Sequence, residues 1–339
     1  MTSSPEHSLL ILDDYTSSSS QLVDFSPLLS SHPSLKITTL TSPIPPDSLV
    51  STLKPYTLIH AMRERTRLPR SVLEQLPNLK FISTTAMKNA AIDLVACKEL
   101  GIQVSGTTSS GSGASGTVEQ TWGLILALSR RIVEEHENVR NGGGDKWQTG
   151  LATGLNGKRL GIIGVGRLGK EVAKVGRAFG MKVKGWSPNL TRERAEEARV
   201  EFAESLQDLL KTSDVVSLHM VLSEKTRGLL GKKELDCLKE TAFLINTSRG
   251  PLIDEEALVE ILRERRIKGA GLDVFDVEPL PKDHPLRTME NVVLSPHMGK
   301  LSSTVLQGLY LSSSSVQDTL KRLNIKNGGS KRLKTLILS

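Results

Sequence analysis

The chain has 339 residues, 38% of them hydrophobic, and a formal net charge of +7. That length suits two domains of ordinary size. Its Lys and Arg residues are mixed with acids instead of clustering with aromatics, which argues against a nucleic-acid partner and suits an anionic substrate and cofactor. Cys97 and Cys237 lie in no CxxC, no apolar run reaches the roughly 18 residues of a membrane span, and Asp13 and Asp14 close the N-terminal apolar run. The expectation is therefore a cytoplasmic protein with no disulfide framework, membrane span, signal peptide or metal site.

The N-terminal part alternates short apolar runs with polar or helical segments. Leu9–Leu12, Leu35–Leu40, Thr57–His60, Lys80–Ser83 and Ile102–Ser105 read as strands, with a serine loop at Ser17–Ser20 and a helix near Ile92–Leu100 closed by Gly101. Strands alternating with helices imply a parallel α/β sheet. A glycine- and serine-rich loop, Ser105–Gly116, leads into Thr117–Arg131, whose Trp122, Leu124, Ile125, Leu126 and Leu128 predict a buried helix crossing between domains.

The second part opens on Leu160-Gly161-Ile162-Ile163-Gly164-Val165-Gly166-Arg167-Leu168-Gly169. This is a strand, a glycine turn of the form GxGxxG and the start of a helix. Gly164 permits the turn, Gly166 lets backbone approach a pyrophosphate, and Gly169 lets helix and strand pack closely. Arg167 and Leu168 lie at the helix N-terminus, where free amides and the helix dipole favour phosphate. Further strands are expected at Arg159–Ile163, Lys182–Trp186, Val215–Leu218, Ala242–Asn246, Gly269–Asp273 and Val292–Ser295, six in all, as in a Rossmann domain. Asp254–Arg265 reads as a helix with acids first and bases last. Beyond Leu301 an amphipathic helix is expected through Val305, Leu309, Val316, Leu320 and Leu323.

Several motifs occur in one order: Gly164–Gly169, Val216-Ser217-Leu218-His219 with Thr226, Asn246-Thr247-Ser248-Arg249-Gly250, Leu272-Asp273-Val274-Phe275 running to Glu278-Pro279, and Ser295-Pro296-His297. On these the chain resembles the D-isomer-specific 2-hydroxyacid dehydrogenases, from about Leu9 to Gly299, in the manner of glyoxylate/hydroxypyruvate reductases and phosphoglycerate dehydrogenases. The resemblance implies two flavodoxin-like or Rossmann-like doubly wound domains with an active-site cleft between them. Residues 1–116, completed by 300–339, would bind substrate; residues 117–299 would bind NAD(P). It also implies a homodimer through the helix around Thr117–Arg131.

By the same resemblance Arg249 binds the carboxylate of a small 2-keto or 2-hydroxy acid, His297 is the general acid and base, and Glu278 supports it. A guanidinium suits the first task because its fork donates two parallel hydrogen bonds and keeps its charge when desolvated. Imidazole suits the second because it exchanges a proton near neutral pH. Asp276 is a neighbouring acid that is easily mistaken for Glu278. Asp273 is implied to accept from the nicotinamide carboxamide, with His219, Thr226 and Thr247 lining the cofactor site. Arg65, Thr85, Ala86 and Met87 match two substrate-facing loops of the other domain, with Arg63 as an alternative to Arg65. The acid that NAD-binding strands carry about 20 residues beyond the turn is missing. Ser187 stands there, which favours NADP(H) over NAD(H), with Asn189, Thr191, Arg192 or Arg194 available to a 2′-phosphate. The alternatives to an enzyme are a dinucleotide-sensing protein, as in related corepressors, and an inactive relative.

Overall fold

Each apolar run of the N-terminal part becomes a parallel strand in the computed structural model, which describes residues 7–62, 64–85, 89–106, 115–142 and 146–300. Residues 7–106 belong to one unit and 115–300 to a second. Arg63, Ala86, Met87 and the expected helix and domain-completing segment beyond Leu301 lie outside the described residues.

In the first unit the strands are β1 (Ser8–Ile11), β2 (Lys36–Thr39), β3 (Leu58–Ala61), β4 (Phe81–Thr84) and β5 (Gln103–Gly106). Their order is β2-β1-β3-β4-β5, all pairs parallel, which is the flavodoxin-like order. Alternate residues enter separate cores: Leu10, Ile59 and Ile82 on one face, Leu9, Leu58 and Phe81 on the other. A sheet covered on both faces needs apolar residues at every position, which is why these runs read as continuous.

The serine loop expected at Ser17–Ser20 is instead a short helix, Ser18–Leu22. The Asp14 carboxylate accepts from the Ser18 and Ser19 amides, both at 2.9 Å. Burial works to raise the Asp14 carboxyl, but these bonds and those of the serine hydroxyls hold it below its ordinary value.

In the second unit the strands are β6 (Arg159–Ile163), β7 (Lys182–Trp186), β8 (Glu201–Phe202), β9 (Val215–Leu218), β10 (Phe243–Asn246), β11 (Gly269–Leu272) and β12 (Val292–Leu294). The sheet runs β12-β11-β10-β9-β6-β7-β8, a Rossmann order with one strand more than expected. The added strand is β8, which pairs through only Glu201 and Phe202 and leaves almost no pattern in the sequence. Order reverses beside β6, so the glycine turn emerges at the switch point, where ligands of open α/β sheets bind. The crossing helix runs Ser115–Ser129 and buries Val118, Trp122, Leu124 and Ile125 against the β6 and β10 face. A second helix, Ile132–Arg140, follows after Arg131 turns left-handed, and no sequence expectation covered it.

Candidate active site

The glycine turn is built as its spacing requires. Gly164 has φ +100°, and a Cβ there would lie 2.5 Å from the His219 carbonyl oxygen. A Cβ on Gly169 would collide with the Gly164 carbonyl, so the helix Arg167–Ala178 packs directly against the turn. Beside Gly166 there is open space, and no side chain caps this helix. Backbone amides at Gly166, Arg167 and Leu168 thus face a space that can take a pyrophosphate, and the residues present fit a dinucleotide. At the end of β7, the Ser187 hydroxyl accepts from the Val165 amide at 2.9 Å, tying the strand end to the turn. Arg192 lies 5.0 Å over the Phe202 ring and is paired with Glu204.

Arg249 follows β10. Asn246 fixes that corner: its Nδ2 donates to the Arg249 carbonyl at 2.9 Å and its Oδ1 accepts from the Ser248 amide at 3.0 Å. The Ser248 hydroxyl donates to the Leu218 carbonyl at 2.7 Å, which ties the corner to β9. Gly250 is in van der Waals contact with the backbone at Phe275 and Asp276, so any Cβ there would overlap both. That close approach brings the Arg249 corner beside the loop that carries Glu278.

Glu278 and His297 form a pair. Glu278 Oε2 lies 2.7 Å from His297 Nδ1, and Glu278 Oε1 accepts from the Phe275 amide at 3.0 Å. Burial works to raise the Glu278 carboxyl. The His297 hydrogen bond and charge, the Phe275 amide and the Arg249 guanidinium together hold it below its ordinary value. With Nδ1 committed to the carboxylate, Nε2 of His297 is the nitrogen available for proton exchange. Asp276 is differently placed: burial and then the charge of Glu255 push its carboxyl up, and its amide donates to Glu255 at 3.2 Å. It belongs to the brace between this loop and the helix Glu255–Arg263.

Asp273, at the end of β11, accepts from the Ser295 hydroxyl at 2.5 Å, the Met298 amide at 2.7 Å and the Gly299 amide at 2.9 Å. Burial raises its carboxyl above the ordinary value despite these bonds. A carboxylate offers about four acceptor directions, so one remains for a carboxamide N–H. Of the other expected cofactor neighbours, Thr247 bonds Thr121 at 2.8 Å, and Thr226 donates to the Val221 carbonyl at 2.7 Å and closes its own turn. His219 bonds Ser217 at 2.9 Å, and desolvation lowers its imidazole to about 4, so it is neutral near pH 7. Arg65 and Thr85 lie in the first unit. There the Arg65 guanidinium donates to the Asp13 carbonyl at 2.6 Å and sits 4.3 Å over the Tyr15 ring, and Thr85 is buried beside Met62. Among the described residues no three metal-ligating side chains gather, and no helix is long and apolar enough to cross a membrane.

Residues 122–299 match the D-isomer specific 2-hydroxyacid dehydrogenase, NAD binding domain, family. The chain is 40% identical over 276 residues to a glyoxylate reductase of Aeropyrum pernix, covering 80% of this chain and 81% of that one. The chain belongs to the D-isomer-specific 2-hydroxyacid dehydrogenase family. A Thermococcus litoralis glyoxylate reductase is 39% identical over 249 residues, 72% of this chain and 74% of its own. A solved phosphoglycerate oxidoreductase of Vibrio cholerae superposes with a TM-score of 0.83 at 31% identity, over 92% of this chain and 99% of that one.

This dehydrogenase is an oxidoreductase with a nicotinamide-dinucleotide-binding domain. Its site also uses residues that sequence reasoning did not single out. Gln120 and Thr117 act through single hydrogen bonds across up to 182 residues of chain, and no local pattern signals them; Gly250 and Phe275 stand in motifs, but their close packing is not visible there. Gly250→Ala in this dehydrogenase is expected to destabilise the fold by about 1–3 kcal/mol, because backbone must move to admit the methyl group. Activity should fall further than that, since the Arg249 and Glu278 loops separate. Urea melts beside initial rates check it; wild-type stability and activity would refute the close-approach argument.

Proposed function

We propose that this dehydrogenase reduces a small 2-keto acid to the D-2-hydroxy acid, reversibly, with glyoxylate and hydroxypyruvate-like acids as the first substrates. The observation that carries this reading is the 2.7 Å Glu278–His297 pair beside Arg249. The nicotinamide dinucleotide, when bound, supplies the hydride that goes to C2. The chain's own residues do the rest. Arg249 grips the carboxylate and polarises the keto group; Nε2 of His297 delivers the proton to the carbonyl oxygen; Glu278 orients the ring and favours its charged form. Asp273 keeps one acceptor direction for the carboxamide. Residues 1–116 with 300–339 are the proposed substrate domain, and Arg65, Thr85, Ala86 and Met87 its contributors to substrate binding. Initial rates with glyoxylate, hydroxypyruvate and bulkier 2-keto acids test this, with His297→Ala as control. Cofactor binding without turnover on any acid would replace it by the sensor reading.

NADP(H) is the proposed preferred cofactor. The support is Ser187, whose neutral hydroxyl does not repel a 2′-phosphate, with Arg194 on the adjacent helix Arg192–Glu197 as a cation. The ratio of kcat/KM for NADPH over NADH should exceed one, and Ser187→Asp should lower it by about tenfold or more by placing a carboxylate at that end of β7. A wild-type ratio below one would overturn the preference.

A cytoplasmic homodimer is also proposed. The apolar residues of the crossing helix are buried in their own core, whereas Ile132, Val133, Val139, Trp147 and Leu151 are exposed, Leu151 to 92%. The segment after that helix is therefore the proposed self-contact. Sedimentation of the full chain tests it.

A further inference from the structure

His297 occupies an unusual backbone position. Its φ of +57° lies in the left-handed region, which a residue with a Cβ seldom adopts. The chain before it is held by the His297 amide, which donates to the Ser295 carbonyl at 3.0 Å, and by the Ser295 amide, which donates to the Leu272 carbonyl at 2.9 Å. The chain after it is pinned harder. The Met298 amide goes to Asp273 Oδ1 and the Gly299 amide to Oδ2, so both oxygens of one buried carboxylate hold the two residues that follow the imidazole. The Gly299 carbonyl in turn accepts from the Thr117 hydroxyl at 2.8 Å.

That carboxylate is itself oriented. The Ser295 hydroxyl donates to Asp273 Oδ1 at 2.5 Å, and Gln120 Nε2 donates to Ser295 Oγ at 2.8 Å. The directions are fixed by donor arithmetic. An ionised carboxylate only accepts and an amide nitrogen only donates, so a hydroxyl between them must receive from Gln120 and give its proton to Asp273. Gln120 lies on the crossing helix Ser115–Ser129, 175 residues away in sequence and anchored by Trp122, Leu124 and Ile125 in the core. A rigid element thus reaches the His297 turn through three side chains.

We propose that Gln120 and Ser295 are positioning residues for proton transfer, acting through Asp273 on the turn that aims His297. The proposal rests on the reading of His297 as the general acid. The carboxyl groups that face the imidazole are Glu278, in direct contact, and Asp273 across the turn; Arg249 acts on it through Glu278. Glu278 sets the ring by its Nδ1 bond. Asp273 sets the backbone that carries the ring. Loosening the second leaves the Glu278 contact free to drag the imidazole off its line to the carbonyl oxygen, and proton transfer is sensitive to such displacement.

The test compares Gln120→Met, Ser295→Ala and Ser295→Thr with the wild-type full-length protein, and His297→Ala as the control. Gln120→Met keeps the volume of a half-buried side chain, so it reports even if Ser295→Ala does not fold. With glyoxylate and NADPH, kcat should fall about tenfold in Gln120→Met and Ser295→Ala, with the dissociation constant of NADPH within about twofold of wild type. Ser295→Thr, which keeps the hydroxyl, should recover most of kcat. Unchanged kcat would overturn the proposal, as would a loss confined to NADPH binding or to the KM for glyoxylate, or a Ser295→Thr variant no better than Ser295→Ala. If His297→Ala itself turned over at the wild-type rate, the general-acid reading would fail instead, which separates the two.

Discussion

His297→Ala is expected to lower kcat by about 10²–10⁴-fold while leaving NADPH affinity within about twofold. In the barrier this is roughly 3–5 kcal/mol. The reason is a division of labour within the second unit. In the proposed reading, phosphate binding draws on backbone amides of the turn Gly164–Gly169, whose geometry depends on the His219 carbonyl and the Ser187 hydroxyl. The imidazole of His297 contributes nothing to that turn. Its bond is to Glu278, so its loss removes the proposed proton donor and leaves an ionised, half-buried carboxylate behind. Glu278→Gln should be milder in kcat, since the amide can still meet Nδ1 of the ring but lacks the charge. The sign for stability is the reverse of a histidine gaining a partner. The Glu278 carboxyl is held below its ordinary value, so its contribution is in place above the usual glutamate range. It is lost only as pH falls through the lowered value. Acid unfolding of Glu278→Gln should therefore be less steep than that of wild type as pH falls below the usual glutamate range. Stopped-flow turnover beside fluorescence titration of NADPH separates the chemical loss from any binding loss. An equal loss in both would mean that His297 acts on cofactor placement.

Much of this fold is legible because parallel strands buried on both faces leave unbroken apolar runs. The inner strands β1, β3 and β4 of the first sheet lie within a residue of such a run, while the edge strands β2 and β5 mix apolar with polar residues and are partly exposed. The strand β8 is not legible because two residues carry no period. The helix Ser18–Leu22 reads as loop because serines disfavour helix interiors, and its cause is an acid upstream, Asp14, capturing two amides. The site divides in the same way. Arg249, Glu278 and His297 are named by motifs that keep their order along the chain. What holds them is tertiary: Gly250 against Phe275, Asn246 closing its own corner, Gln120 reaching Ser295. Such contacts join residues remote in sequence, and their side chains have ordinary local alternatives. Thr226 and Thr247 illustrate the converse. Thr247 directly follows β10 and Thr226 lies in a turn beyond β9, where motifs put them, yet each spends its hydroxyl on neighbouring protein groups.

Arg249→Gln is expected to lower kcat/KM for glyoxylate by about 10³-fold, equivalent to roughly 4 kcal/mol. A neutral amide still donates a hydrogen bond, but it loses both the charge and the paired geometry that match a carboxylate. Arg249→Lys should recover at most about tenfold of that loss, because an ammonium keeps the charge without the fork. Position limits rescue as well. The backbone of Arg249 is fixed by Asn246 and by the Gly250 approach to Phe275, so a shorter side chain cannot be brought forward by moving the corner. The loss should divide between KM and kcat, since in the proposed role the guanidinium binds the ground-state carboxylate and also meets the negative charge that grows on the keto oxygen. The Arg249 side chain is half-buried beyond β10, and one of its bonds, from Nη1, goes to the adjacent Ser248 carbonyl. Added guanidinium ion gives an independent check. In Arg249→Gln it should raise kcat/KM at millimolar concentrations, while His297→Ala should not respond. Rescue of both variants alike, or a Tm drop in Arg249→Gln as large as that of Gly250→Ala, would mean that the arginine holds the loop together more than it holds the substrate.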